Sequence, residues 1–399
     1  MKLFEGDART DTREQRYSEG CFAFYNRIAG TYWQRVRDLL DEWFTRIPEV
    51  DRSDVRARFR SGDDRSFKAS FFEIYCHETL LRLGYEIQSH PEVPGTTKRP
   101  DYLAIRGTEQ FVLEVTVVGE SNKAMAAERR KGVIFDTIND LPSPNFFLSV
   151  TVHAEGPKAP PSAQLRSKLE RWLLTLDPDV AAAGFDGNSL RSLPTAMWEH
   201  EGWKVAFTVI PKSPQWRGAT SGPTIGMHGP GVASIIEDHR AIQRQLADKA
   251  GAYGKLDVPY VIAASTETYF GKDTAVVSAL FGSEQATVRA APGGTPVVVP
   301  SRASNGLFIG PTGKRNRRVS GILVVDALAP TTIAQTVPTL WHNPFATHPS
   351  IVSSTPWRHA LVDETSGNLC YTDAFMTPAE FFDLTPEWPG PDLPFPDEL

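Results

Sequence analysis

Apolar residues recur at helical intervals along residues 29–47, AGTYWQRVRDLLDEWFTRI, and Pro48 ends the run. The same spacing returns in residues 71–83, FFEIYCHETLLRL, with Gly84 placed to stop it. The period then changes. Residues 102–105 and 111–118 are rich in β-formers, and the RGTEQ between them contains Gly107, which suits a tight hairpin turn. Further on, the pattern predicts a helix beginning at residue 122, a strand at 146–152, a helix at 164–176, a strand at 203–210, a long helix over 233–253 and a strand at 259–265. Helix and strand keep alternating, so an α/β fold is expected rather than an all-α or all-β one. The C-terminal part contains one clear apolar strand, VSGILVVDAL, and a Pro-rich tail.

A chain of 399 residues can bury one large core or two modest ones. The expected division is an N-terminal helical region over 1–68, an α/β core over 69–270 and a C-terminal α/β extension over 271–399. At 41% hydrophobic and 23% charged residues, the composition is that of a folded protein. Cys21, Cys76 and Cys370 show neither a CxxC pair nor a disulfide-like spacing, which favours a reducing compartment. The opening MKLFEGDARTDTREQR turns polar where a signal peptide needs its apolar run, and no stretch approaches the roughly 20 apolar residues of a membrane span. A cytoplasmic protein with no membrane partner is the expectation. The formal net charge of -6 argues against general coating of nucleic acid. It leaves room for a nuclease, because local basic surface can steer a polyanion while catalytic carboxylates keep the total negative.

Candidate chemistry gathers around three acids. Along the second strand of the hairpin, Val112, Glu114, Thr116 and Val118 share one side. A glutamate among so many apolar residues needs a cation or strong donors to offset its burial. Asp101 enters the preceding strand directly after Pro100, so a turn at Gly107 brings its carboxylate towards Glu114. Glu73 lies in the apolar FFEIY context of the helix feeding these strands, with His77 four residues later on the same face. Glu78 points elsewhere around that helix, and Glu73 is preferred to it. Hard carboxylate oxygens suit Mg²⁺, or Mn²⁺, which can bind a phosphate and acidify an attacking water.

Residues 71–118 resemble the PD-(D/E)xK, or restriction-endonuclease-like, nuclease superfamily. Pro100-Asp101 resembles its PD element, Glu114-Val115-Thr116 its (D/E)xK element, and Glu73 the helix-borne acid of many members. The resemblance implies a core of mixed central sheet flanked by helices, Mg²⁺ held by Glu73, Asp101 and Glu114, and a nucleic-acid substrate, DNA in the first instance. Thr116 stands where the pattern has lysine and brings no positive charge. A displaced lysine is therefore expected. Lys131, followed by the apolar GVIF, is the first choice, and Lys249 in QRQLADKAGAYGKLDVPYVIAAS the second; Lys98, Lys123 and Arg130 are further candidates. The missing lysine also leaves open a nuclease-like fold without catalysis, serving as a nucleic-acid-binding or protein-interaction module. A homodimer or another protein partner is compatible with either reading.

Two basic stretches could face phosphates: Arg52, Arg56, Arg58, Arg60 and Arg65 within one short span, and the loop 313–318, GKRNRR. The loop lacks the spacing of a P-loop. His228, His239, His342 and His348 fall in no zinc-ligand spacing, and no G-x-S-x-G elbow is present.

Overall fold

Trp33, Val36, Leu40, Trp43 and Phe44 form the apolar stripe of helix α2 (Thr31–Arg46), and all are buried. Each large side chain removed from water contributes about 1.5–3 kcal/mol before the entropy of ordering it is subtracted. Helix α1 (Cys21–Arg27) precedes it, and Gly30, at φ 105, makes the turn between the two. Helix α3 (Glu49–Phe59) follows Pro48. Helix α4 (Asp64–Arg82) starts earlier than the apolar pattern alone indicates, because Asp63 caps it by accepting the Ser66 N–H at 2.9 Å. In this computed structural model the described residues are 1–119, 122–185, 189–219, 222–228, 238–268, 272–289, 297–349, 355–363 and 368–395.

The chain divides into two compact units, the first formed by residues 1–13, 21–119 and 236–399 and the second by 14–20 and 120–235. The boundaries expected from sequence, at 68/69 and 270/271, both lie inside the first unit. That unit holds an eight-stranded sheet whose strands lie in chain order: β1 (Glu86–Ser89), β2 (Tyr102–Arg106), β3 (Glu109–Val117), β4 (Tyr260–Thr266), β5 (Gly321–Asp326), β6 (Thr339–His342), β7 (Arg358–Val362) and β8 (Leu369–Thr372). β1, β2 and β3 are antiparallel, β3, β4 and β5 are parallel, and the remaining pairs alternate, so the sheet is mixed. Gly107, at φ 61, makes the turn between β2 and β3, where Arg106 pairs with Glu109.

Helices cover both faces. Phe111, Leu113, Val261 and Ala263 pack with α1–α4, whereas Val112, Ile262 and Ala264 pack with Ile242, Leu246 and Ala250 of helix α5 (Asp238–Ala250) and with Val276 and Leu280 of helix α6 (Lys272–Phe281). The result is an α/β fold with a mixed central sheet flanked by helices, an N-terminal helical region and a C-terminal α/β segment. Parallel β3 and β4 need a crossover connection. Its helix is α5, and the second unit is inserted in that crossover, between the end of β3 and the start of α5.

The second unit has its own four-stranded sheet, ordered Thr195–His200, Trp203–Pro211, Phe146–Ala154 and Ile225–His228. Ile134, Ile138, Leu148, Leu165, Trp198 and Phe207 contribute to its core. Its helix Asn122–Asn139 accepts the segment 14–20: Asp136 takes the N–H groups of Tyr17 and Ser18 at 2.8 and 3.0 Å. Gly132 is required there, since a Cβ would stand 2.5 Å from the Tyr17 carbonyl oxygen. Among the described residues, no helix is long and apolar enough to cross a membrane.

Candidate metal centre

Tyr102 pairs with Leu113 in the β2/β3 ladder, so the next step of the same register sets Asp101 directly against Glu114. Directly opposed residues share a face with their Cβ atoms about 4.5–5.5 Å apart, and two like charges in that position repel. The backbone holds Asp101 there: its carbonyl accepts the His90 N–H at 3.0 Å, and its Oδ2 accepts the Val115 N–H at 2.6 Å. Oδ1 accepts no hydrogen bond among the described residues. Burial, followed by the Glu114 charge, pushes the Asp101 carboxyl up from 3.8 to about 7. A half-buried carboxyl facing the buried Glu114 carboxylate is a site with a deficit of positive charge.

Glu114 is buried at 4% exposure, and helix α5 supplies its partners. Lys249 Nζ donates to Glu114 Oε1, and Tyr253 OH, three residues beyond the helix, donates to Oε2. Gln245 Nε2 donates to Thr116 Oγ1 at 2.7 Å. The spacings match: two residues along a strand cover roughly 6.8 Å and four along a helix about 6 Å. An antiparallel helix can therefore set Gln245 and Lys249 against Thr116 and Glu114 in one step. Tyr260 OH holds the Lys249 carbonyl at 3.0 Å, and Arg318 donates to the Tyr253 carbonyl, which anchors the turn after the helix.

Glu73 does not join this pair. Helix α4 packs on the Phe111/Leu113 face of the sheet, whereas Glu114 meets α5 on the other. Glu73 Oε2 accepts Arg58 Nη2 at 2.7 Å, although its charge is still felt at Asp101. Burial, the largest influence on Glu73, raises its carboxyl despite the arginine. His77 is buried, with its ring near Tyr102 and its imidazole lowered to about 4 by desolvation. Glu78 is held by Arg46 and Arg82.

Lys131 belongs to the second unit, where its ammonium bridges Glu128 and Glu155 at 2.6 and 2.7 Å. Among the described residues, the lysine that reaches Glu114 is Lys249. Gln245 and Tyr253 escaped the sequence reading, although the Q-x3-K spacing on α5 against E-x-T on β3 was a usable signal for the first. The loop 313–318 is largely committed to its own surroundings: Arg317 donates to the Phe345 carbonyl at 3.2 Å, and Lys314 lies over the Phe345 ring. Within the histidine set, His342 stacks on His359 with their ring nitrogens 2.9 Å apart. The side chain of His228 and residues 229–237, which include the first part (233–237) of the long helix expected over 233–253, lie outside the described residues.

Among the described residues, no group of three or more His, Cys, Asp or Glu is arranged to hold a metal. The three-acid centre expected from sequence is thus a two-acid pair. Two carboxylates remain a sufficient protein contribution for Mg²⁺, which commonly keeps several waters and takes further oxygens from a substrate phosphate. The donor set of Asp101 and Glu114 is hard oxygen throughout, which fits a hard divalent cation. No family model, curated protein or solved structure matches the chain.

Proposed function

We propose that the first unit is a metal-dependent nuclease core of the restriction-endonuclease-like PD-(D/E)xK type, hydrolysing phosphodiester bonds in DNA. The observation that carries this reading is the opposition of Asp101 and Glu114 across one ladder step, with Lys249 on Glu114. A purely structural sheet has no use for two facing acids, since the arrangement costs stability.

Asp101 and Glu114 would hold Mg²⁺ or Mn²⁺. When bound, such an ion would polarise the scissile phosphate and lower the pKa of the attacking water. The protein's own groups do the positioning. Tyr253 fixes one oxygen of Glu114 and turns its carboxylate. Lys249 restores the positive charge that Thr116 lacks, and its side chain, 30% exposed, can meet a substrate oxygen. Thr116, held by Gln245, serves as a spacer on the same face. Asp101 must give up its proton to act as a ligand, so metal binding competes with protonation near pH 7.

The second reading is a catalytically inactive nucleic-acid-binding or interaction module. It is favoured by the fact that Lys249 and Arg58 already neutralise Glu114 and Glu73 without a metal. Cleavage of plasmid and single-stranded DNA in Mg²⁺ or Mn²⁺ separates the two. The nuclease reading expects cutting by the wild type and none by Asp101→Asn or Glu114→Gln at matched folded concentration. Tight binding without cutting by the wild type selects the inactive module.

A further inference from the structure

Both carboxylate oxygens of Glu114 already have donors in the folded chain. Lys249 Nζ stands 2.5 Å from Oε1, and the Tyr253 hydroxyl donates to Oε2. Across the ladder, Asp101 Oδ2 accepts the Val115 N–H. Among the described residues, the Lys249 ammonium is therefore the one cation in hydrogen-bond contact with either acid.

The two donors on Glu114 differ in what they bring and in how they are held. Tyr253 is neutral, so its hydroxyl can stay on Oε2 whatever cation the acids receive. Lys249 carries a full charge at the end of a flexible stem. Its backbone is fixed, because α5 buries Ile242, Leu246 and Ala250 and the Lys249 carbonyl accepts the Tyr260 hydroxyl at 3.0 Å. Its side chain is 30% exposed, against 6% for that of Glu114. The ammonium thus has water to move into while the helix stays in place.

Charge balance sets what the pair can keep. A divalent cation neutralises two ionised carboxylates completely. An ammonium retained on the same oxygen would leave excess positive charge in a largely buried site, where like charges repel far more strongly than in water. In the metal-free protein the same ammonium is what offsets the burial of Glu114. Lys249 and a divalent cation are alternatives at Oε1.

We infer that Lys249 is a displaceable counter-ion of this centre: it closes the acid pair in the metal-free protein by occupying Glu114 Oε1, and it leaves that oxygen when a divalent cation binds, which frees its ammonium for a substrate phosphate. This role rests on the nuclease reading and adds a regulation to it, since the lysine becomes available to substrate in metal-loaded molecules. Tyr253 keeps Glu114 oriented during the exchange.

Two measurements on the full chain test the exchange. Calorimetric titration of Mn²⁺ at pH 8 compares the wild type with Lys249→Met. An ion pair closed in about nine molecules of ten lowers the apparent affinity about tenfold, so the variant is expected to bind Mn²⁺ about tenfold more tightly although it cuts no DNA. A purely structural ion pair gives the opposite sign, because Glu114 without its partner loses its orientation and binds more weakly. Trace acetylation of the wild type with acetic anhydride, read by mass spectrometry, follows the ammonium itself. Acetylation of Lys249 is expected to rise when Mn²⁺ is added, while Lys131, paired with Glu128 and Glu155 in the second unit, stays constant as the internal control. If Lys249→Met gives no cooperative thermal transition, acetylation of the wild type decides alone. Equal or weaker Mn²⁺ binding by the folded variant, or Lys249 acetylation that Mn²⁺ leaves unchanged, overturns the displacement of Lys249, while Mn²⁺ binding by the wild type leaves the nuclease reading standing. A wild type that binds no Mn²⁺ overturns both.

Discussion

Replacing Asp101 by Asn should stabilise the metal-free protein at pH 8 while removing its response to Mg²⁺. In the folded chain, burial and the Glu114 charge move the Asp101 carboxyl from 3.8 to about 7. Because the folded value is raised, the native state binds this proton more tightly than the unfolded state does. The stability it contributes is complete below about pH 4 and is lost as pH rises towards 7. At about 1.4 kcal/mol per decade, the ionised carboxylate at pH 8 costs the fold up to roughly 4 kcal/mol. Asparagine never ionises, and its Oδ1 can still accept the Val115 N–H, though the loss of a charge-assisted bond takes back about 1 kcal/mol. A net gain of about 2–3 kcal/mol remains, which corresponds to a rise in Tm of about 5 °C for a unit of this size. Thermal melts of both proteins from pH 4 to pH 9 in EDTA check it. The difference in stability should be near zero at pH 4, grow between pH 4 and 7, and flatten above. A difference independent of pH, or an Asn variant less stable at pH 8, would refute the facing-acid argument.

Lys249→Met leaves Glu114 buried with, among the described residues, only Tyr253 as a donor, so it should lower metal-free stability by about 3 kcal/mol and abolish cleavage; unfolding in urea and a plasmid assay measure the two effects. Tyr253→Phe removes one hydrogen bond to a buried charge and should cost about 1.5–3 kcal/mol by the same urea titration, with cleavage reduced but present. Lys131→Ala breaks only ion pairs with partly exposed acids in the second unit; its stability should change by less than about 1 kcal/mol, and its cleavage rate should equal that of the wild type.

Much of the fold was legible because periodicity reports local geometry. The helix at residues 29–47, the hairpin through Gly107 and the strand at 259–265 all lie within a residue or two of their places in the structure. The opposition of Asp101 and Glu114 was readable for the same reason, since a two-residue turn fixes the register on both sides of it. Long-range choices were not readable. Which face of the sheet receives α4 decides that Glu73 meets Arg58 instead of Glu114, and a helix stripe does not encode that choice. The insertion of a whole unit between β3 and α5 separates Lys249 from Glu114 by 135 positions, and the apolar GVIF after Lys131, which pointed to that lysine, belongs to the inserted unit instead. The short strands β6, β7 and β8 carry few residues each, too few for a period to show.

A divalent cation bound between Asp101 and Glu114 is the central requirement of the nuclease reading, and calorimetric titration of Mn²⁺ into the metal-free protein tests it directly. One site is expected in the wild type and none in Asp101→Asn/Glu114→Gln, with affinity falling by up to about tenfold per pH unit below 7 as the metal has to displace the Asp101 proton. Equal binding by both proteins, or no binding by the wild type at pH 8, would contradict it.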